Sequence, residues 1–412
     1  MEEFDLGIIG GGPGGYSAAL DAAKQAQRVV LFEKDNIGGV CLNKGCIPTK
    51  SILHASELYK KLANADKFGI YIDNAKFDFA KVIMRKDNIV ENLRKGIELA
   101  LKNAKVTVVK SEAKILNPNE IKADGVIYTC KKIICAAGSS PKELKGLEFD
   151  HKFILSSDDI LNQEYLARSI LIIGSGAVGI EWARIFSNFG AETTLVEQAG
   201  HLLPLADIEV SKRLERSFKS AGIKFYTKTC VDKIENNTVV LSNGEALTPE
   251  KILVAAGRIS NCPKKLNGIV YIGDAAGEIQ LAHYAIKQAY KQTSGIDYRK
   301  DLIPSVVYGS PEIAWVGKLE QDLEPDTYEK SVHLVGALGK AQCDGETEGF
   351  IKLLAKNNYI IGAHIISPEA SSLLTQIIIA MQNNISIEKL KEICFAHPAY
   401  SEGIFETLCK YK

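Results

Sequence analysis

The chain has no net charge and no long hydrophobic run. Its 50 basic residues balance 50 acidic ones, which argues against nucleic acid or an anionic membrane as the main partner. No apolar stretch approaches the roughly 20 residues that a membrane helix needs. The first residues, MEEFDLGIIGGG, contain neither the basic region nor the cleavage site of a secretion signal. We therefore expect a soluble cytoplasmic protein with no membrane insertion and no nucleic-acid partner.

The length and the cysteine count limit the architecture. A chain of 412 residues is too long for one ordinary core, so two to four domains are expected. Nine cysteines are an odd number for a disulfide scaffold, and a persistent disulfide in a reducing compartment is more often catalytic than structural. Five cysteines in apolar or mixed segments are predicted to be small buried hydrophobes: Cys130, Cys135, Cys230, Cys262 and Cys394.

A glycine-rich turn follows a short apolar strand near the N-terminus. The spacing Gly10, Gly12, Gly15 is the dinucleotide fingerprint, in which the first glycine permits a tight turn. The second lets the backbone approach a pyrophosphate, and the third lets the helix pack on the strand. The N-terminus of that helix supplies unpaired N–H groups to phosphates. Glu33, at the end of the next strand, is placed to accept hydrogen bonds from a ribose diol.

The same arrangement recurs later in the chain. Gly174, Gly176 and Gly179 follow a second apolar strand, and Glu197 ends the strand after the helix. The acid lies 23 positions after the first glycine in both copies. One fingerprint alone is weak because glycine-rich turns are common. Two copies in matching contexts predict two bound dinucleotides.

Glu197 also bears on the choice of the second dinucleotide. A carboxylate at this strand end pairs with a free 2′-hydroxyl and repels a 2′-phosphate. No arginine cluster follows it, since the sequence continues Gln198-Ala199-Gly200-His201. NAD is therefore favoured over NADP as the second dinucleotide. The alternative interpretation is that Glu197 is a solvated surface residue with no role in binding.

Cys41 and Cys46 are separated by four intervening residues in the segment GGVCLNKGCIPTK. Such a pair reaches disulfide geometry on a distorted turn near a helix start, where Gly45 and Pro48 are suitable residues. No second cysteine or histidine pair has zinc-ligand spacing nearby, so no metal is expected. A thiol at a helix N-terminus has a lowered pKa, and thiolate is the form that exchanges with disulfides. A redox pair is favoured over a structural disulfide.

The segment from Gly38 to Lys50 resembles the active-site signature of the class I pyridine nucleotide–disulfide oxidoreductases. The two glycine fingerprints are similar to the FAD and NAD sites of that family. Four further matches occur in family order, at Ala136-Ala137-Gly138, Ala256-Gly257-Arg258, Ile272-Gly273-Asp274 and Ala396-His397-Pro398. The resemblance implies an α/β fold with two Rossmann-like dinucleotide-binding domains, for FAD and NAD, and a C-terminal α+β dimerisation domain.

The resemblance also implies the domain boundaries. We place the FAD-binding domain at 1–142 and 267–302, the NAD-binding domain at 143–266 and the interface domain at 303–412. Strands are expected over 349–354 and 360–366, and an apolar helix over 373–381. The connection 259–272 and the hairpin after Val231 are shorter than is typical of the family.

Site residues follow from the same matches. His397 would take a proton from an incoming dithiol, and Glu402 would orient and stabilise its imidazolium form. In this family the histidine serves the disulfide of the opposite subunit, which implies a homodimer. Lys50 resembles the lysine beside the flavin, and Glu181 its ion-pair partner. The implied cofactor-binding residues are Gly10, Gly12, Gly15, Glu33, Lys50, Ala113, Gly138, Asp274 and Ala282 for FAD, and Gly174, Gly176, Gly179, Glu197, Val231 and Gly257 for NAD.

Within the family, several members fit poorly. Glu197 argues against the NADPH-dependent glutathione and trypanothione reductases, and a single Cys409 near the end argues against mercuric reductases. The soluble transhydrogenases lack one active-site cysteine. The resemblance therefore implies oxidation of dihydrolipoyl groups with NAD+, with a lipoyl-bearing acyltransferase, a lipoyl carrier protein or a small dithiol as partner. The complexes concerned are those of 2-oxoacid dehydrogenation or glycine cleavage.

Three alternatives remain open. They are another FAD-dependent NAD(P)H disulfide reductase, an NADH oxidase or diaphorase that uses the same flavin with a different acceptor, and a subunit that docks in a 2-oxoacid dehydrogenase assembly. Cys41, Cys46 and His397 favour an enzyme over a pure scaffold, because a scaffold needs none of them.

Overall fold

The N-terminal strand is the centre of the first sheet. In this computed structural model, which describes residues 2–411, β3, β2, β1 and β6 lie side by side in parallel, and β5 and β4 extend the sheet antiparallel. The elements are β1 (Glu2–Ile9), α1 (Pro13–Lys24), β2 (Val29–Phe32), α2 (Gly39–Lys44), α3 (Cys46–Leu62), α4 (Phe79–Asn103), β3 (Thr107–Val109), β4 (Ala113–Asn117), β5 (Glu120–Ala123) and β6 (Val126–Cys135).

A second parallel sheet follows, in the order β11-β10-β9-β15-β8, with a small antiparallel sheet β12-β13-β14 beside it. The elements are β7 (Ser139–Pro141), β8 (Ile154–Leu155), β9 (Ser169–Ile173), α5 (Ala177–Asn188), β10 (Glu192–Val196), α6 (Ile208–Ser220), β11 (Lys224–Tyr226), β12 (Val231–Glu235), β13 (Thr238–Leu241), β14 (Ala246–Leu247) and β15 (Lys251–Val254). The central strands β9, β10 and β15 are almost wholly buried. This is expected because a parallel sheet is covered on both faces.

The chain then returns to the first sheet. β16 (Arg258–Ser260) pairs antiparallel with β7, and β17 (Val270–Tyr271) joins β6 in parallel. The following helix, α7 (Ala282–Thr293), packs against α1. The chain therefore leaves the first sheet after β6, forms the second sheet, and then returns to the first sheet at β17.

The C-terminal part is a five-stranded antiparallel sheet with helices. Its order is β18-β19-β22-β21-β20, and its elements are β18 (Ser305–Val307), β19 (Glu312–Gly317), β20 (Glu329–Leu334), α8 (Gly339–Asp344), β21 (Phe350–Lys356), β22 (Tyr359–Ser367), α9 (Ala370–Gln382), α10 (Ile387–Lys391) and α11 (Glu402–Leu408). The predicted strand pair and apolar helix are present. β21 begins one residue later and ends two residues later than predicted, β22 is one residue longer at each end, and α9 is three residues longer at its start and one at its end. The α/β fold class with its C-terminal α+β unit is confirmed. Among the described residues, no helix combines the length and apolarity of a membrane span.

A buried lysine joins the second sheet to the C-terminal sheet. The ammonium of Lys352, on β21, lies 2.9 Å from Asp207, the N-cap of α6, and 3.1 Å from Glu209 on α6. It also contacts Glu320. Burial alone would lower the pKa of Lys352, but hydrogen bonds to Asp207 and Glu320 raise it. The three carboxylates converge within reach of one cation, and the lysine supplies that charge.

Replacing Lys352 with methionine should lower the free energy of unfolding by about 3–5 kcal/mol, because Asp207 would be left buried without its partner. Urea-induced unfolding followed by circular dichroism measures the loss. Lys330→Met is the matched control, since Lys330 contacts Glu209 and Glu320 from a partly exposed position and should contribute under about 1 kcal/mol. Equal losses in the two variants would contradict the assignment.

Candidate active site

The first and third glycines of each fingerprint bring a helix onto its strand. Gly10 and Gly174 have φ values of +98° and +101°, which favour glycine over other residues. A Cβ on Gly15 would lie 1.8 Å from the Gly10 oxygen, and a Cβ on Gly179 would lie 1.9 Å from the Gly174 oxygen. No side chain fits at those contacts. The helices α1 and α5 can therefore begin directly above their strands.

The second glycines face open space. Gly12 and Gly176 are the N-caps of the 12-residue helices α1 and α5. A Cβ on Gly12 would come no closer than 3.7 Å to any atom, and on Gly176 it would meet nothing within 4 Å. The protein thus leaves room at both helix N-termini, where N–H groups and the helix dipole favour a phosphate.

Each fingerprint acid turns back onto its own glycine turn. Glu33 accepts hydrogen bonds from the backbone N–H groups of Gly11 (2.7 Å) and Asp35 (2.8 Å). Glu197 accepts from the N–H and hydroxyl of Ser175, at 2.8 and 2.7 Å, and from the N–H of Ala199 at 2.8 Å. With 7% of its surface exposed, Glu197 is a buried acceptor and not a solvated surface residue.

A cavity of about 450 Å³ adjoins the first acid. Its apolar lining consists of Ile37, Leu101, Val106 and Val108, and its polar and charged lining of Glu33, Asp35, Asn36, Glu98, Lys102, Lys105 and Lys110. Apolar side chains beside a carboxylate suit the base and ribose of a nucleotide, so the residues present fit the adenosine end of a dinucleotide.

The two predicted active-site cysteines lie at a break between helices. Cys41 is on α2, which ends at Lys44, and Cys46 is the first residue of α3. Both are free thiols, and each perturbs the pKa of the other. The structure therefore brings the two predicted cysteines together.

The thiolate is favoured at Cys46. Contact with the Cys41 thiol and the positive charge of Lys50 lower the pKa of Cys46 to about 7, against the opposing effect of desolvation. The pKa of Cys41 is raised by its contact with Cys46 and by desolvation. The helix N-terminus acts in the same direction as Lys50.

Lys50 and Glu181 form a 2.7 Å ion pair beside the thiols. Burial would lower the pKa of Lys50, but the nearby carboxylate of Glu181 raises it. Glu181 also accepts the backbone N–H of Tyr308 at 3.1 Å, and the Lys50 ammonium lies 4.8 Å from the centre of the Tyr308 ring. The structure thus brings this predicted pair together and adds Tyr308, which the sequence did not indicate.

Arg184 is a second residue that the sequence analysis missed. It is buried on α5, and donates hydrogen bonds to the backbone oxygens of Tyr308 (3.3 Å) and Pro311 (2.8 Å). A Cβ on Gly309 would lie 1.8 Å from its Nη1 atom, so that glycine makes room for the guanidinium. The sequence offered one signal for Arg184, which is that Glu181 and Arg184 are the two charged residues on the mostly apolar helix α5.

Asp274 belongs to a three-residue polar chain. It accepts a 2.5 Å hydrogen bond from the Ser139 hydroxyl, which in turn accepts from Arg258 at 2.9 Å. The chain links β7, β16 and the turn after β17. The neighbouring Gly138 and Gly257 have φ values of +72° and +102°, and a Cβ on either would meet nothing within 4 Å.

Three residues that were predicted to contact a cofactor are the first residues of their helix or strand. Ala282 begins α7. Ala113 begins β4 and Val231 begins β12, and the side chains of both pack into apolar clusters of their own units.

His397 and Glu402 form a hydrogen-bonded pair near the C-terminus. Their Nδ1 and Oε1 atoms are 2.7 Å apart, and the other carboxylate oxygen accepts the N–H of Ala399 at 2.8 Å. The N–H of Ala399 and then His397 lower the pKa of Glu402. The His397 side chain is 77% exposed. Within residues 2–411, no hydrogen bond or ion pair connects it to Cys41 or Cys46.

The prediction for the other cysteines is partly wrong. Cys130 and Cys135 are buried, but Cys230 and Cys394 are exposed and Cys262 is half-buried. Cys230 and Cys394 lie in connections between elements and face solvent, and Ile393 beside Cys394 is itself 48% exposed.

The fold and the thiol pair define a disulfide oxidoreductase. Over residues 4–266 the chain matches the family described as pyridine nucleotide-disulphide oxidoreductase, and over residues 303–408 it matches the dimerisation domain of that family. The chain therefore belongs to the pyridine nucleotide-disulphide oxidoreductase family, which confirms the predicted resemblance and enzyme class. Membership implies the use of a flavin and a pyridine nucleotide.

One curated relative and two solved structures show which members of the family this chain is similar to. Dihydrolipoyl dehydrogenase from Bacillus subtilis is 33% identical over 459 residues, covering 98% of this chain and 97% of the relative. Because that aligned stretch exceeds 412 residues, the relative carries segments that this chain lacks. Two solved structures share the fold: LpdA from Mycobacterium tuberculosis, with TM-score 0.91, 23% identity and full coverage of both chains, and the HOCl-induced flavoprotein disulfide reductase RclA from Escherichia coli, with TM-score 0.87, 23% identity, and 99% and 100% coverage.

The charge of Lys50 should set the reactivity of Cys46. In the reduced protein, alkylation of Cys46 by iodoacetamide should rise with pH around a midpoint of about 7. Lys50→Met removes the cation that stabilises the thiolate and should move the midpoint up toward the free-thiol value of about 8.5. Peptide mass spectrometry measures the rates. The exposed Lys44→Met is the control, and an unchanged midpoint in Lys50→Met would refute the charge effect.

Proposed function

We propose that this chain is a dihydrolipoyl dehydrogenase, which oxidises dihydrolipoyl groups to lipoyl groups and reduces NAD+. The observation that carries the proposal is the coupled thiol pair of Cys41 and Cys46 at the junction of α2 and α3, beside the 2.7 Å ion pair of Lys50 and the buried Glu181. The 33% identity with the Bacillus subtilis dihydrolipoyl dehydrogenase over nearly the whole chain supports the choice of substrate.

Two cofactor sites follow from the glycine turns. FAD would be held by the first turn, Glu33 and the adjoining cavity, and NAD by the second turn and Glu197. The carboxylate of Glu197 is buried among N–H donors, so a 2′-phosphate beside it would meet negative charge. When bound, the flavin supplies the two-electron chemistry that connects the protein dithiol to the nicotinamide.

Thiol exchange is the step that the protein residues perform. A substrate thiolate attacks Cys41 in the oxidised Cys41–Cys46 disulfide, and Cys46 leaves as a thiolate. Its pKa of about 7 makes it a good leaving group. The second substrate thiol then displaces Cys41 from the mixed disulfide. The substrate has lost two electrons to become a lipoyl disulfide, and the protein pair has gained them.

A base must accept the protons of the substrate thiols. The Nδ1 atom of His397 is held by Glu402 at 2.7 Å, which leaves Nε2 as the ring nitrogen available to a substrate thiol. The anionic Glu402 stabilises the imidazolium that forms on proton transfer. In the net reaction, one dithiol and NAD+ give one disulfide, NADH and a proton.

We propose that the site is completed by a second copy of the chain. His397 is exposed and lies on the C-terminal region that matches the dimerisation domain. A histidine in that position is placed to serve the thiol pair of the other subunit in a homodimer. The physiological partner would be a lipoyl-bearing acyltransferase or a lipoyl carrier protein, and the location cytoplasmic.

A substrate comparison tests the proposal. The purified protein, loaded with FAD, should reduce NAD+ with dihydrolipoamide at least about tenfold faster than with reduced glutathione, and should prefer NAD+ to NADP+. Cys46→Ser should abolish the dithiol reaction yet retain flavin, and Cys230→Ser, at an exposed site far along the chain, should keep full activity. Turnover with glutathione and NADP+ but none with dihydrolipoamide would assign the chain to another disulfide reductase.

A hybrid dimer tests whether His397 acts across the subunits. Cys46→Ser and His397→Gln should each be inactive alone. If both are unfolded and refolded together, half of the dimers are hybrids, and each hybrid has one site with an intact cysteine pair and an intact histidine. Recovery of about a quarter of the wild-type activity is expected. If the histidine served its own subunit, mixing would restore no activity.

A further inference from the structure

The protein has a second pair of neighbouring thiols besides Cys41 and Cys46. The sulfur atoms of Cys135 and Cys262 are 3.3 Å apart, although the residues are separated by 127 positions in the chain. Cys135 is the last residue of β6 and is buried, and Cys262 is half-buried in the segment that returns from β16 to β17. In the described residues, neither is hydrogen-bonded to Cys41 or Cys46.

Backbone hydrogen bonds fix both sides of this contact. The oxygen of Cys135 accepts the N–H of Ile272 at 3.1 Å, in the ladder between β17 and β6. The N–H of Cys262 donates to the Ser260 hydroxyl at 3.1 Å. Asn261, directly before Cys262, donates from its backbone to Gly138 (3.0 Å) and from its side chain to Ala137 (2.8 Å). A disulfide of about 2.05 Å would require only a small approach of the two sulfurs.

The two thiols differ in reactivity. The 3.3 Å contact with Cys135 and the positive charge of Lys265 lower the pKa of Cys262 to about 7, against the effect of burial. The pKa of Cys135 is raised by its contact with Cys262 and by its burial at the strand end. Cys262 is therefore the accessible thiolate, and Cys135 is the thiol that can resolve a mixed disulfide.

We propose that Cys135 and Cys262 are a second redox-active pair, which low-molecular-weight disulfides convert to an intramolecular disulfide. The Cys262 thiolate attacks one sulfur of the reagent and releases the first thiolate. Cys135 then attacks the Cys262 sulfur of the mixed disulfide, and the second thiolate leaves while the Cys135 proton passes to it or to solvent. The protein loses two electrons, and the reagent disulfide gains them as two thiols.

The bond would close the return segment onto the first sheet. Cys135 is followed by Ala136, whose oxygen would lie 2.3 Å from a Cβ on Gly10, so it forms one side of the first glycine turn. On the other side, Ser260 donates a 3.2 Å hydrogen bond to the oxygen of Ala275, beside Asp274. Oxidation would therefore connect covalently two segments that frame the proposed flavin site, across a loop of 127 positions.

Disulfide mapping of the full-length protein tests this inference. The reduced protein is treated with 2-hydroxyethyl disulfide, blocked with iodoacetamide and digested without reductant. Mass spectrometry should show a linked peptide pair containing Cys135 and Cys262, and the thermal unfolding midpoint should rise by several degrees. Cys262→Ser should lose both effects. Cys230→Ser, which removes an exposed thiol in the second unit, should keep them.

The same test in a Cys41→Ser, Cys46→Ser background separates this inference from the proposed function. The linked pair should form there as it does in the wild type, because the second thiol pair needs neither of those sulfurs. Recovery of Cys262 as a stable mixed disulfide with Cys135 still alkylatable would overturn the inference. So would a reagent-treated wild type in which both residues remain free.

Discussion

The 2.7 Å ion pair between Lys50 and Glu181 connects the three parts of the chain at the thiol pair. Lys50 lies on α3 after the cysteines, Glu181 lies on the first helix of the second unit, and Tyr308 follows the first strand of the C-terminal sheet. Glu181 is buried, so losing either partner would leave an uncompensated charge. This pair therefore fixes how the segment that carries Cys46 sits on the rest of the protein, and it sets the charge that the Cys46 thiolate experiences.

The two glycine turns repeat one solution to one steric problem. A helix must start so close to the preceding strand that its N–H groups point at a bound phosphate, and only a residue without Cβ fits at the closest contact. Glu33 and Glu197 then accept N–H groups of those turns, so each acid stabilises its own turn. This structural role is the same in both copies, which accounts for the shared spacing of 23 positions.

The sequence predicted those parts of the site that are local in the chain. The thiol pair, both fingerprints and the His397–Glu402 pair each lie within a short segment, and the structure brings their members together. It also brings together Lys50 and Glu181, a pair that the family resemblance supplied. Tyr308, Arg184 and the Cys135–Cys262 contact were missed because their partners lie more than 100 residues away. The exposure of Cys230 and Cys394 was missed because local apolar composition does not tell which way one side chain in a connection points.

Sequence alone determined the fold class, the two dinucleotide turns and the reactive cysteine pair, because hydrophobic periodicity, glycine sterics and residue spacing act over a few residues. The tertiary structure alone decided which charges meet. Coulomb interactions and desolvation depend on distance in space, so the pKa of about 7 at Cys46 and at Cys262, and the burial of Lys352 among three carboxylates, exist only once distant segments pack together.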